Sequence, residues 1–168
     1  MSELDKILSL RRESSAKIVN VDEATIKLVI FELDSEWFAF PGEAIREILP
    51  PAEVHFVPGC PPSLEGVINV RGDIESVIRL TELLARPASD PTSNSLILRG
   101  HGGGMHSGIR VDRVVDVLDV AQSAIQPPPA ALPEHMRRIV SGLMKHQGRP
   151  VTILDLNHIF EDYHRGLG

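Results

Sequence analysis

A weak internal duplication constrains this chain more than any other feature. Residues 66–84, GVINVRGDIESVIRLTELL, align without a gap on residues 142–160, GLMKHQGRPVTILDLNHIF. Gly66 meets Gly142, Gly72 meets Gly148, Val77-Ile78 meets Ile153-Leu154, and Leu80 meets Leu156. Each copy reads as strand, glycine-closed turn, strand, helical turn. A glycine in such a turn supplies a positive φ, so glycines at equal spacing favour a true repeat over chance. A second correspondence lies upstream. Residues 45–49 (IREIL) match residues 114–118 (VVDVL), which sets Ile45 against Val114 and Glu47 against Asp116. Two such units imply two similar subdomains packed together.

The rest of the chain fits a mainly β reading. Leu28 to Phe31 and Trp37 to Phe40 are short apolar runs with Asp34-Ser35 between them, which predicts a hairpin. Further strands are expected at residues 54–57, 66–70, 76–80, 95–98, 107–111, 114–120, 139–144 and 150–154. Prolines and glycines punctuate them, notably Pro50-Pro51, Pro58-Gly59, Pro61-Pro62 and Pro127-Pro128-Pro129. Many short strands with regular turns predict small barrels or sandwiches, not βαβ units. With only 4% aromatic residues, the core is expected to be mostly aliphatic. Residues 1–24 read as a helical or flexible appendage, with Leu4, Ile7 and Leu8 at helical spacing ahead of a polar stretch.

Chemistry-bearing motifs are sparse. His101-Gly102-Gly103-Gly104 spells a glycine string found at esterase oxyanion holes, and a small esterase or hydrolase is the alternative it raises. An elbow of the form G-x-S-x-G is missing, because Ser107 falls one place late in the string from Gly104 to Gly108. A hairpin tip is the simpler expectation. The seven histidines form no H-E-x-x-H, and the single Cys60 excludes a multi-thiolate zinc site. We expect no metal, no cofactor and no catalytic residue. The net charge of −6 argues against a nucleic-acid partner, and no apolar run reaches a membrane span. One polar feature stands out: Asn69 and Arg71 end an apolar strand before Gly72. An arginine there is either solvated or paired, and Glu47 on the preceding repeat element is the candidate partner.

The string Val57-Pro58-Gly59, then Gly66 to Gly72 (GVINVRG), then Val77-Ile78 and Leu80, resembles the CheW family pattern. Val111-Asp112-Arg113-Val114 and Ile153-Leu154-Asp155-Leu156 resemble its later segments, so the likeness runs from about residue 26 to residue 160. The resemblance implies two SH3-like five-stranded β-barrel subdomains, interleaved, at approximately 25–90 and 91–155. A C-terminal helix at 156–165 would complete a domain spanning 25–165. It also implies a non-enzymatic cytoplasmic adaptor at membrane-associated arrays. The expected partners are the regulatory domain of a CheA-type histidine kinase and the cytoplasmic tip of chemoreceptors. Glu47 and Arg71 match positions where the family has a glutamate and an arginine. Ile45, Glu47, Val57, Pro58, Asn69, Arg71, Gly72 and Arg79 are the partner-binding candidates. The chain departs from the pattern at Ser76 (usually proline), at Arg79 (usually aspartate) and in its glycine-rich stretch from Gly100 to Gly104.

Overall fold

The computed structural model describes residue 3, residues 23–87 and residues 95–166; the appendage expected at 1–24 lies almost wholly outside them. The described elements run β1 (Thr25–Leu33), β2 (Glu36–Pro41), β3 (Ile45–Leu49), β4 (Leu64–Val70), β5 (Asp73–Ile78), α1 (Leu80–Leu83), β6 (Leu96–Gly102) and β7 (Met105–Val111). They continue with β8 (Arg113–Ala121), α2 (Glu134–Arg137), β9 (Val140–His146), β10 (Arg149–Leu154) and α3 (Leu156–Gly166). The strands form two five-stranded sheets, ordered β8-β1-β2-β10-β9 and β3-β6-β7-β5-β4. This is the mainly β fold expected, with few and short helices.

The two orders correspond place for place. β10 lies parallel to β2 in one sheet, and β5 parallel to β7 in the other. Leu64 faces Ile78 and Gly66 faces Val77; in the second copy Val140 faces Leu154 and Gly142 faces Ile153, with the bulge at the same step. The tight turns also agree. Asp34-Ser35, Arg71-Gly72, Gly103-Gly104 and Gln147-Gly148 all have positive φ at both positions, which marks the primed turns whose twist suits a two-residue hairpin. Glycine fills the second turn position in three of the four pairs, where a β-carbon would be strained.

The repeat is threaded differently from the expected division near residue 90. The second sheet comes from one stretch, β3 through β7, whereas the first combines β1 and β2 with β8 through β10. β6 and β7, beyond residue 90, therefore pair with β3 and β5 rather than with β8 to β10. β1 and β2 need the hydrogen bonds of β8 and β10 to complete their sheet, so the chain closes this unit only at its end.

Burial on both faces of the central strands produces three apolar clusters. Leu28, Ile30, Trp37, Ala39, Val151 and Ile153 fill the inside of the first sheet. Leu49, Ile68, Val70, Val77 and Ile97 fill the second. Between them lies the largest cluster, with Phe31, Phe38, Phe40, Leu98, Ile109, Leu154 and Phe160. Four of the five phenylalanines are buried there, so the scarce aromatics concentrate at the contact between sheets. α3 contributes Leu156, Ile159, Phe160 and Tyr163, an apolar stripe at helical spacing. Asp155 caps it, accepting from the His158 N–H at 3.2 Å.

Three sequence expectations need adjustment. Residues 54–57 form no strand; His55 alone bridges to Val67. β5 ends at Ile78, and Arg79 is the residue before α1 rather than a strand position. Residues 45–49, read only as a repeat element, are the edge strand β3.

Candidate functional site

The edges of the second sheet are β3 and β4, and the β4–β5 turn brings an arginine back across that seam. Arg71 donates to both Glu47 oxygens, at 2.6 and 3.3 Å, a two-point grip that a planar guanidinium makes well. The Asn69 side-chain oxygen accepts from the Gly72 N–H at 2.7 Å and braces the turn from within. The expected pairing of Glu47 with Arg71 is present, and Asn69 and Gly72 join it to form one unit. Arg71 itself sits at φ 52°, a region that residues with a β-carbon enter at a cost. The corresponding seam of the first sheet is looser: Asp116 approaches His146 to 3.3 Å.

Two further guanidinium and carboxylate groups lie behind this pair. Arg99 on β6 donates to Glu47 at 2.9 Å and to Glu75 on β5 at 3.0 Å. The second Glu75 oxygen is 2.7 Å from His106 Nδ1 on β7. Hydrogen bonds from Arg71 and then Arg99 hold the Glu47 carboxyl below its ordinary range. Hydrogen bonding to Glu47 raises Arg71, and bonding to Glu47 and then Glu75 raises Arg99. The sequence reading does not single out Arg99 or Glu75, and it takes His106 only as one of seven histidines without a metal motif. The signal was present in the duplication, which sets Glu75 against Val151.

The other candidates lie elsewhere. Arg79 is at the far end of β5, roughly 20 Å from the turn at ~3.3 Å per residue. Its N–H donates to Ser63 at 2.7 Å and its guanidinium to the Pro62 carbonyl at 3.4 Å. It is therefore tied to the loop that carries Val57 and Pro58, where Cys60 N–H closes a turn onto the Val57 carbonyl. Arg79 makes no side-chain cap to α1, while its repeat counterpart Asp155 does cap α3. Ile45 begins β3 and packs on the cluster between the sheets.

The glycine string is structural. A β-carbon at Gly100 would lie 2.6 Å from Leu156 Cδ2, and one at Gly102 would lie 2.5 Å from Asn157 Oδ1. The Gly103 N–H donates to Asn157 at 2.9 Å, so it is not free for an oxyanion. Ser107 is fully buried and donates to the Ser76 carbonyl at 3.1 Å. An esterase reading thus loses both its donor and its nucleophile. Among the described residues, no helix is long and apolar enough to cross a membrane.

Two five-stranded sheets that repeat one strand order, with Arg71 paired to Glu47 at the tip of the second, define a doubled β scaffold. The chain belongs to the CheW-like domain family, whose model matches residues 27–164. It is 27% identical over 139 residues to the chemotaxis protein CheW of Rhizobium meliloti (strain 1021), covering 83% of this chain and 90% of that one. It is 26% identical over 161 residues to the chemotaxis protein CheW of Helicobacter pylori (strain ATCC 700392 / 26695), covering 95% and 97%. Among solved structures it is similar to the scaffolding protein TtCheW from Thermoanaerobacter tengcongensis, with a TM-score of 0.73 and 27% identity, covering 82% of this chain and 94% of that one. The family is one of scaffolds and adaptors, not enzymes.

Proposed function

We propose that this protein is the coupling adaptor of a cytoplasmic chemosensory array. In this reading it joins the regulatory domain of a CheA-type histidine kinase to the cytoplasmic tip of chemoreceptors. Relatives that are chemotaxis proteins along nearly their whole length support the adaptor role. The carrying observation is the β4–β5 tip, where Arg71 is 67% exposed although both of its outer nitrogens hold Glu47. A side chain fixed in place before contact loses less freedom on binding, which favours recognition. Glu47, Asn69, Arg71 and Gly72 form this contact; in this reading Val57, Pro58 and Arg79, at the opposite end of β5, form a second contact, and Ile45 supports β3 from beneath.

The test is titration of purified kinase regulatory domain, and separately of a receptor-tip fragment, into the parent and Arg71→Glu. The variant should fold as the parent does and bind at least about tenfold more weakly, because it sets an acid beside Glu47 and reverses the presented charge. Equal binding by Arg71→Glu and the parent would remove the tip from the interface.

A further inference from the structure

The duplication supplies an internal control for the charged residues behind Arg71. Arg99 faces Glu47 across β3 and β6, and its counterpart Ile30 faces Asp116 across β1 and β8. Glu75 corresponds to Val151 and His106 to Trp37. Ile30 and Val151 are fully buried in the apolar filling of the first sheet. The same fold is therefore completed once with isoleucine and valine and once with arginine and glutamate. Replacing a buried ion pair with apolar residues of similar size is often neutral or stabilising, so the fold alone does not explain the charged solution.

The geometry points outward. Glu75, Arg99, Glu47 and Arg71 alternate in sign, and their side-chain exposures rise in that order: 2%, 19%, 29% and 67%. Glu75 has both oxygens engaged, by Arg99 Nε and His106 Nδ1. Arg99 then reaches the Glu47 oxygen, Oε1, that Arg71 grips at 2.6 Å. A carboxylate held from behind by an arginine that is itself anchored on a buried glutamate is restricted in orientation, and so is the arginine that forks onto it. Lysine would not substitute, because one ammonium lacks the planar fork that serves two carboxylates.

We propose that Arg99, anchored by Glu75, is a positioning residue that fixes Glu47 and thereby orders Arg71 for its partner. This rests on the proposed role of Arg71, but its physical half is separable. The deciding variant is Arg99→Ile with Glu75→Val, which copies the first sheet into the second. It should melt at or above the parent temperature, since no buried charge is left unpaired. The Nε–Hε group of Arg71, followed by 15N relaxation, should lose order, and affinity for the kinase regulatory domain should fall about tenfold. Arg71→Ala should cost less affinity in this background than in the parent, the non-additivity expected when one residue acts through another. Arg99→Lys, keeping the charge without the fork, should fold normally and also loosen Arg71. Unchanged Arg71 order in either variant, or a double variant that does not fold, overturns the positioning role. If the parent fails to bind the kinase domain, the proposed function falls, while the Arg71 order still decides the positioning.

Discussion

Gly66 and Gly142 occupy one place in the repeat but face different obstacles, and that difference gives a graded prediction. Each lies where an incoming segment forms a single bridge with the following residue. His55 and Val67 exchange two hydrogen bonds of 2.8 and 2.9 Å, and Gln126 and Leu143 exchange two of the same lengths. A β-carbon at Gly66 would sit 2.2 Å from the His55 carbonyl oxygen and 2.8 Å from its carbon. Backbone cannot step aside without breaking the bridge. Gly66→Ala should therefore lose two hydrogen bonds and overpack the site, together roughly 2–6 kcal/mol. At Gly142 the nearest atom is the Ile125 Cγ2 methyl, at 2.6 Å, with the Gln126 carbonyl oxygen at 3.0 Å. A side chain can turn away, so Gly142→Ala should cost about 1–3 kcal/mol. For a chain of this size Gly66→Ala corresponds to a fall in melting temperature of roughly 5–20 °C. Urea titration and thermal melting by circular dichroism measure both variants. Gly66→Ala should also weaken kinase binding, because the His55 bridge pins the loop that carries Val57 and Pro58. A cost below about 1 kcal/mol for Gly66→Ala, or one smaller than for Gly142→Ala, would refute the reasoning.

Two other outcomes follow from individual residues. Arg79→Asp restores a capping side chain ahead of α1, as Asp155 provides for α3, and should stabilise the fold by about 1 kcal/mol in urea titration. It should also shift preference between the cognate kinase domain and one from a motility system whose adaptor carries the usual aspartate, since interface charge governs discrimination. Equal preference at low and moderate salt would show that Arg79 does not set partner choice. Acid should weaken the Glu47 contacts. The folded carboxyl lies below its ordinary value of 4.5, so its contribution is present above that pH and is lost as pH falls below it. Stability measured against pH should show a smaller acid-side decline in Glu47→Gln than in the parent; identical declines would contradict the pairing.

Much of this architecture was legible in the sequence because it is periodic. The glycines at 66, 72, 142 and 148 are dictated by backbone approach or turn geometry, so they persist where side chains diverge. The first hairpin was readable from Asp34-Ser35 between two apolar runs. Strand order was not, because which strands share a sheet depends on long-range pairing that leaves no local mark. β6 and β7 read as well in either unit. The end of β5 was missed because Ile78, Arg79 and Leu80 alternate like a strand, although Leu80 begins a helix. At the site, Glu47 with Arg71 was found through the resemblance and the repeat together. Arg99 and Glu75 escaped because a charged residue in an apolar strand reads as solvated unless its repeat counterpart is consulted.

The adaptor reading is tested most directly by co-sedimentation of kinase with receptor-containing membranes. Purified kinase and native membranes are mixed with or without this protein, then pelleted and quantified. Kinase should enter the pellet together with this protein, remain in the supernatant without it, and remain there when Arg71→Glu replaces the parent. Kinase that pellets equally in all three mixtures, or in none, would contradict the account.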